Sequence, residues 1–200
     1  MTTFVPSLTL PAAIFANPTA SVLLPITLGS AIGSHKRNSK GPTWHLNNNP
    51  LTFHPPYVFG PAWTLLYGLM GYSAYRAYST GLSPLASTEN HLLFKQGATL
   101  YTIQLGLNLI WMPLFFSLKR PILATIDIVA LTGTVSYLTY IWGQVDSVAA
   151  WALAPYVGWL GFATYLSAGV GYLNDWNISD KEVEKSPKGK GTKYVDEKEE

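Results

Sequence analysis

Residues 55–76 read PPYVFGPAWTLLYGLMGYSAYR, and this stretch decides the fold. From Pro55 to Tyr75 it carries no charged side chain, which is long enough to cross a bilayer as a helix of about 20 apolar residues. It is not a plain leucine anchor. Pro61, Trp63, Tyr67, Gly68, Gly71 and Tyr72 shape a helix that packs against other helices or around a ligand.

The design recurs outward from there. Ala12–Ser34 is uncharged, with Pro18 and Pro25 inside it, and Gly97–Leu118 is uncharged, with Gln104, Asn108 and Trp111. Pro121–Val145 has one charge, Asp127, and Ser147–Leu173 has none. In lipid every backbone polar group must be satisfied within its own segment, which favours helices. A soluble helical core would show a charged second face, and these segments lack one. The expected fold is all-α, an integral membrane bundle of five transmembrane helices in the lipid bilayer. Its spans cover about 12–34, 55–76, 97–118, 121–145 and 147–173 of a membrane domain 1–174.

Charge divides the chain at the end of that domain. Residues 175–200 hold six Lys and eight acidic residues, too polar to bury a core, and are expected to form a disordered charged tail. Residues 1–174 hold seven Lys or Arg and three acidic residues. These basic residues border spans and form no nucleic-acid patch. Cysteine is absent and the four histidines are scattered, so no disulfide, thiolate or metal site is expected. The first 34 residues hold no Lys or Arg, which excludes a charged signal-peptide n-region or an Arg-rich presequence. Lys36, Arg37, Lys40, Lys119 and Arg120 outweigh Arg76 and Lys95 across the membrane, which places the tail on the cytosolic side.

Helical spacing groups the polar and aromatic residues into stripes. Trp63, Tyr67 and Met70 form one; Gln104, Asn108 and Trp111 a second; Trp159, Ala163 and Leu166 a third. Such stripes serve either helix packing, by interhelical amide bonds, or a common cavity. Asp127 is an acid inside a span, which usually faces the bundle interior or water; a structural partner and proton transfer are both open. Trp142 carries no pocket assignment. The loop 41–56, GPTWHLNNNPLTFHPP, is long for a helix connection; its aromatics and prolines suit either a lid or a rigid connector.

HPPYVFGPAWTLLYGLMGYSAYR, YTIQLGLNLIWMPLFF and APYVGWLGFATYLSAGVGYLN together resemble the signature stretches of the TspO/MBR family, the translocator or peripheral-type benzodiazepine receptor family. The resemblance covers about Ala20–Asn174. It implies a five-helix bundle that binds tetrapyrroles such as protoporphyrin IX or haem, with sterol and synthetic ligands in animals. It also implies a homodimer and an organelle membrane, the mitochondrial outer membrane or alternatively the endoplasmic reticulum. Carried over by matching positions, the ligand site comprises Trp44, His54, Trp63, Tyr67, Asn108, Trp111, Trp159, Ala163 and Leu166, with no metal and no required cofactor. These coincide with the stripes, which favours the cavity.

One departure concerns sterol. The animal members' sterol pattern ends helix five with a tyrosine and then an arginine, where this chain has Ala168 and Tyr172. Leu69–Arg76 fits the same permissive pattern elsewhere. Two alternatives stand beside a tetrapyrrole receptor. A sterol or small-solute transporter lacks support from paired intramembrane charges or an inverted repeat. A light-dependent porphyrin-degrading protein would use tryptophans near a bound photosensitiser. The chain offers no metal set, nucleophile dyad or nucleotide loop for dark catalysis.

Overall fold

The computed structural model describes residues 5–37, 59–116, 118, 120–173 and 176. The described residues contain six α-helices: α1 Ala12–Ala16, α2 Pro18–Arg37, α3 Phe59–Gly81, α4 Thr88–Phe116, α5 Pro121–Val145 and α6 Ser147–Leu173. A short 3₁₀ turn, Pro6–Leu8, precedes them. The expectation of an all-α fold holds. Among the described residues, two stretches are long and apolar enough by length and composition to cross a membrane, Thr88–Phe115 and Pro121–Val145.

Local chemistry explains the boundaries. The first apolar run is two helices, not one. Asn17 leaves α1 in an extended conformation, and its Oδ1 accepts from the backbone N–H of Thr19 and Ala20 at 2.9 and 3.3 Å. That is an N-cap, with Pro18 at the first helical position, where its missing N–H costs nothing. α4 starts earlier than its apolar run because the Ser87 hydroxyl accepts from the Asn90 N–H at 3.1 Å. Pro121 opens α5. Asp146 then ends α5, while its Oδ1 accepts from the Val148 N–H at 2.8 Å to begin α6.

Contacts between helices run in the order α2, α3, α6, α5, α4, and α4 closes back on α3 and α2. The bundle is tied most firmly where backbones approach. The Ser21 hydroxyl donates to the Gly71 carbonyl at 2.8 Å, and the Ser73 hydroxyl to the Ala149 carbonyl at 2.8 Å. Gly71 is obligatory at the α2–α3 crossing, because a Cβ there would run into the backbone of Ser21 and Val22. At the same end, Arg76 pairs with Asp146 at 2.8 Å and Thr80 donates to the same carboxylate oxygen at 3.0 Å. One acid thus caps α6 and holds α3 against the α5–α6 turn.

The amino-terminal arm seals this end. The Val5 and Leu10 N–H groups donate to the Thr99 and Thr102 hydroxyls on α4 at 3.2 and 3.0 Å. Phe15 is fully buried, with its ring edge-on to Phe94 and Tyr101 at 5.8 and 5.7 Å. Trp142 stacks on the same two rings from α5, at 6.5 and 5.6 Å. Trp142 is therefore a core anchor, not a neutral aromatic position.

Overpacking a tight crossing costs about 1–3 kcal/mol. Gly71→Ala is expected to lower the midpoint of unfolding in detergent accordingly. Gly68→Ala, one turn earlier where a Cβ meets open space, should stay within about 0.5 kcal/mol of wild type. Equal melting of the two variants would contradict the crossing.

Candidate functional site

The site is assembled from the stripes of α3, α4 and α6. Trp63 and Tyr67 lie one turn apart on α3, and their rings sit 5.3 Å apart. Trp159 comes from α6 and meets Trp63 edge-on at 6.0 Å. Tyr156, one turn before Trp159, meets Trp63 at 6.4 Å. Four aromatic rings from two helices therefore form one continuous cluster. Such edge-to-face pairs add about 0.5–1.5 kcal/mol beyond the area they bury.

Asn108 enters from α4 and joins the two helices by hydrogen bonds. The Tyr67 hydroxyl donates to Asn108 Oδ1 at 2.7 Å, and Asn108 Nδ2 donates to the Tyr156 hydroxyl at 2.9 Å. The Tyr156 hydroxyl donates in turn to Gln104 Oε1 at 3.4 Å, and Gln104 Nε2 donates to Met70 Sδ at 3.2 Å. Every one of these side chains is buried. In a low dielectric each bond is stronger and each missing partner costs more. The site is thus an aromatic wall backed by a neutral polar chain, suited to a flat apolar molecule with a polar edge.

The remaining expected residues divide. Ala163 packs against the same core as Trp63 and Trp159, and Leu166 is half-buried farther along α6. Trp111 borders that core and stacks on Phe115 at 5.2 Å, where Leu114 and Ala124 complete a second, smaller cluster. Trp44 and His54 lie outside the described residues. Asp127 is buried on the inner face of α5, and its Oδ2 has no hydrogen-bond partner among the described residues.

Two residues central to the geometry are missing from the expected site. Gln104 sits in the α4 stripe one turn before Asn108. Tyr156 extends the α6 stripe backwards, at three residues before Trp159, and its spacing was the available signal. α2 contributes through Gly29, where a Cβ would run into the Tyr67 ring.

Known proteins share this arrangement of sequence. The sequence model of the TspO/MBR family matches residues 21–173, from α2 to the end of α6. The chain belongs to the TspO/MBR family. It is 41% identical to a translocator protein homolog of Schizosaccharomyces pombe, over 76% of this chain and 88% of that one. It is 34% identical to the human translocator protein, over 75% of this chain and 86% of that one. With the tryptophan-rich protein TspO of Archaeoglobus fulgidus it shares 38% identity over 78% of this chain and 95% of that one. Family membership and the two apolar helices make this a membrane-associated helical protein.

Removing the Tyr156 hydroxyl leaves Asn108 Nδ2 without its acceptor, and removing the amide leaves the Tyr67 hydroxyl without its acceptor and the Tyr156 oxygen without its donor. Tyr156→Phe and Asn108→Leu are each expected to destabilise the protein by about 1 kcal/mol. The double variant should cost less than the sum, by at least about 0.5 kcal/mol. Strict additivity in a double-mutant cycle would show that the two groups do not act as one chain.

Proposed function

We propose that the protein is an integral membrane receptor of translocator type that binds a tetrapyrrole, protoporphyrin IX or haem, between α3, α4 and α6. The observation that carries this reading is the convergence of Trp63, Tyr67, Asn108 and Trp159 from three helices on one buried cluster. A macrocycle needs flat apolar walls, which the tryptophans supply, and a polar group to orient its edge, which the hydrogen-bonded Tyr67–Asn108 pair supplies. Sterol is disfavoured at the end of α6, where Ala168 is half-buried and Tyr172 projects outward.

In this reading α2 to α6 are the five spans. The longest, α4 and α6, measure about 40 Å at 1.5 Å per residue, enough to cross the bilayer with some tilt. Exposed Tyr137, Tyr140 and Trp151 near the α5–α6 turn, and Tyr165 and Tyr172 toward the other end of α6, suit aromatic belts at the two interfaces. The charge bias of the loops supports a cytosolic carboxyl terminus, and the mitochondrial outer membrane is the proposed location. The Trp63–Trp159 pair also supports light-dependent degradation of a bound porphyrin as a second reading, since two oxidisable rings would flank the photosensitiser.

Truncating an aromatic anchor at a binding centre costs about 2 kcal/mol, roughly thirtyfold in affinity. Trp63→Ala and Trp159→Ala should each weaken protoporphyrin IX binding by that factor in a fluorescence-quenching titration. Trp151→Ala, at a ring 77% exposed on the outer face of α6, should bind like wild type and is the control. Wild-type affinity in both site variants would refute the reading.

A further inference from the structure

The hydrogen-bond chain behind the aromatic wall runs in one direction, and Met70 sets that direction. A thioether sulfur has no proton and can only accept. Gln104 must therefore turn its NH₂ toward Met70 Sδ, 3.2 Å away, which turns Oε1 toward Tyr156. Tyr156 has one proton and gives it to that oxygen, so its own oxygen accepts from Asn108 Nδ2. Asn108 Oδ1 is left facing Tyr67, which donates to it. The reverse order would press the Gln104 carbonyl oxygen against the sulfur lone pairs with no proton between them.

We propose that Met70, Gln104 and Tyr156 are positioning residues that fix ligand specificity. By setting the direction of the chain, they leave the Tyr67 oxygen as an acceptor for an N–H or O–H group of an aromatic ligand. The proposal rests on the reading above that Trp63 and Tyr67 line the ligand site. Among the described residues no hydrogen bond is donated to the Tyr67 oxygen, and Tyr67 stands beside Trp63 at the aromatic end of the chain. Tyr67 is 8% exposed against 3% for Asn108, so Tyr67 is the more open residue of the two. The ligand class selected is a flat aromatic with a hydrogen-bond donor at its edge or centre, such as a pyrrole N–H. A donor-free analogue would leave the buried oxygen unpaired, and sites built this way discriminate strongly against such analogues.

Two probes of nearly identical shape test this on the full-length protein in detergent. Carbazole has an N–H, and dibenzofuran has an oxygen in its place. Calorimetric titration should show carbazole binding tighter by about tenfold, the worth of one buried hydrogen bond. Tyr67→Phe should bring the ratio to about one, and Met70→Leu, which frees the chain to run either way, should lower it several-fold. A second measurement needs no ligand. The Raman Fermi doublet of a tyrosine separates a donating phenol from one that only accepts. The wild-type minus Tyr67→Phe difference spectrum should carry the donor signature, weakened in a Met70→Leu background. Equal binding of the pair, tighter dibenzofuran binding, no carbazole binding, an unchanged ratio in Met70→Leu, or an accepting Tyr67 phenol would each overturn the proposal. A failed protoporphyrin titration with the carbazole preference intact would remove the tetrapyrrole reading alone and leave the chain's direction standing.

Discussion

Buried polar side chains inside an apolar bundle must find partners, and here they find them on neighbouring helices. Tyr67, Asn108, Tyr156 and Gln104 link α3, α4 and α6 by side-chain hydrogen bonds among buried groups. Ser21 and Ser73 link α3 to α2 and α6 by hydroxyl-to-carbonyl bonds. Between helices in lipid, apolar contact supplies little orientation, because lipid tails are as apolar as leucine. Hydrogen bonds between specific atoms set rotation and register instead. The position of each aromatic wall residue follows from that register.

The two ends of the bundle are built differently. At the α5–α6 turn, Phe15, Phe94, Tyr101 and Trp142 interlock, and Asp146 binds Arg76, Thr80 and the start of α6. The amino-terminal arm is laced to α4 by threonine hydroxyls at the same end. Toward the other end, the aromatic rings of Trp63 and Trp159 are only half-buried. In the proposed reading, these half-buried rings are where a ligand would meet the bundle.

Much of this was legible because proline and polar punctuation are local signals. Pro121, and Asp146 followed by Ser147, gave the limits of α5 and α6 directly. The break at Asn17 is hidden in the sequence, because an apolar run continues through it and only the side-chain cap reveals two helices. The stripes placed Trp63, Tyr67, Asn108 and Trp159 on matching faces, and the resemblance to the TspO/MBR family named the same positions. Tyr156 is outside the positions that the resemblance implies, and only its spacing of three residues before Trp159 puts it on the same face of α6. Trp142 shows the limit of composition. Its span is apolar on every side, so nothing in the pattern tells a core-facing ring from an outward one. Burial at that position is decided by Gly97 on α4, where a Cβ would collide with the indole.

The central claim is that a tetrapyrrole sits against Trp63 and Trp159, and its own photochemistry offers the most direct test. Protoporphyrin IX is bound at stoichiometric concentration, illuminated briefly in air, and the oxidised tryptophans are located by peptide mass spectrometry. Oxidant arriving from solution would strike Trp151 first, the ring 77% exposed. The account predicts the opposite order, with Trp63 and Trp159 modified before Trp151, and protection of both when excess carbazole, which visible light does not excite, competes. Oxidation ordered by exposure, with Trp151 leading and no effect of the competitor, would contradict it.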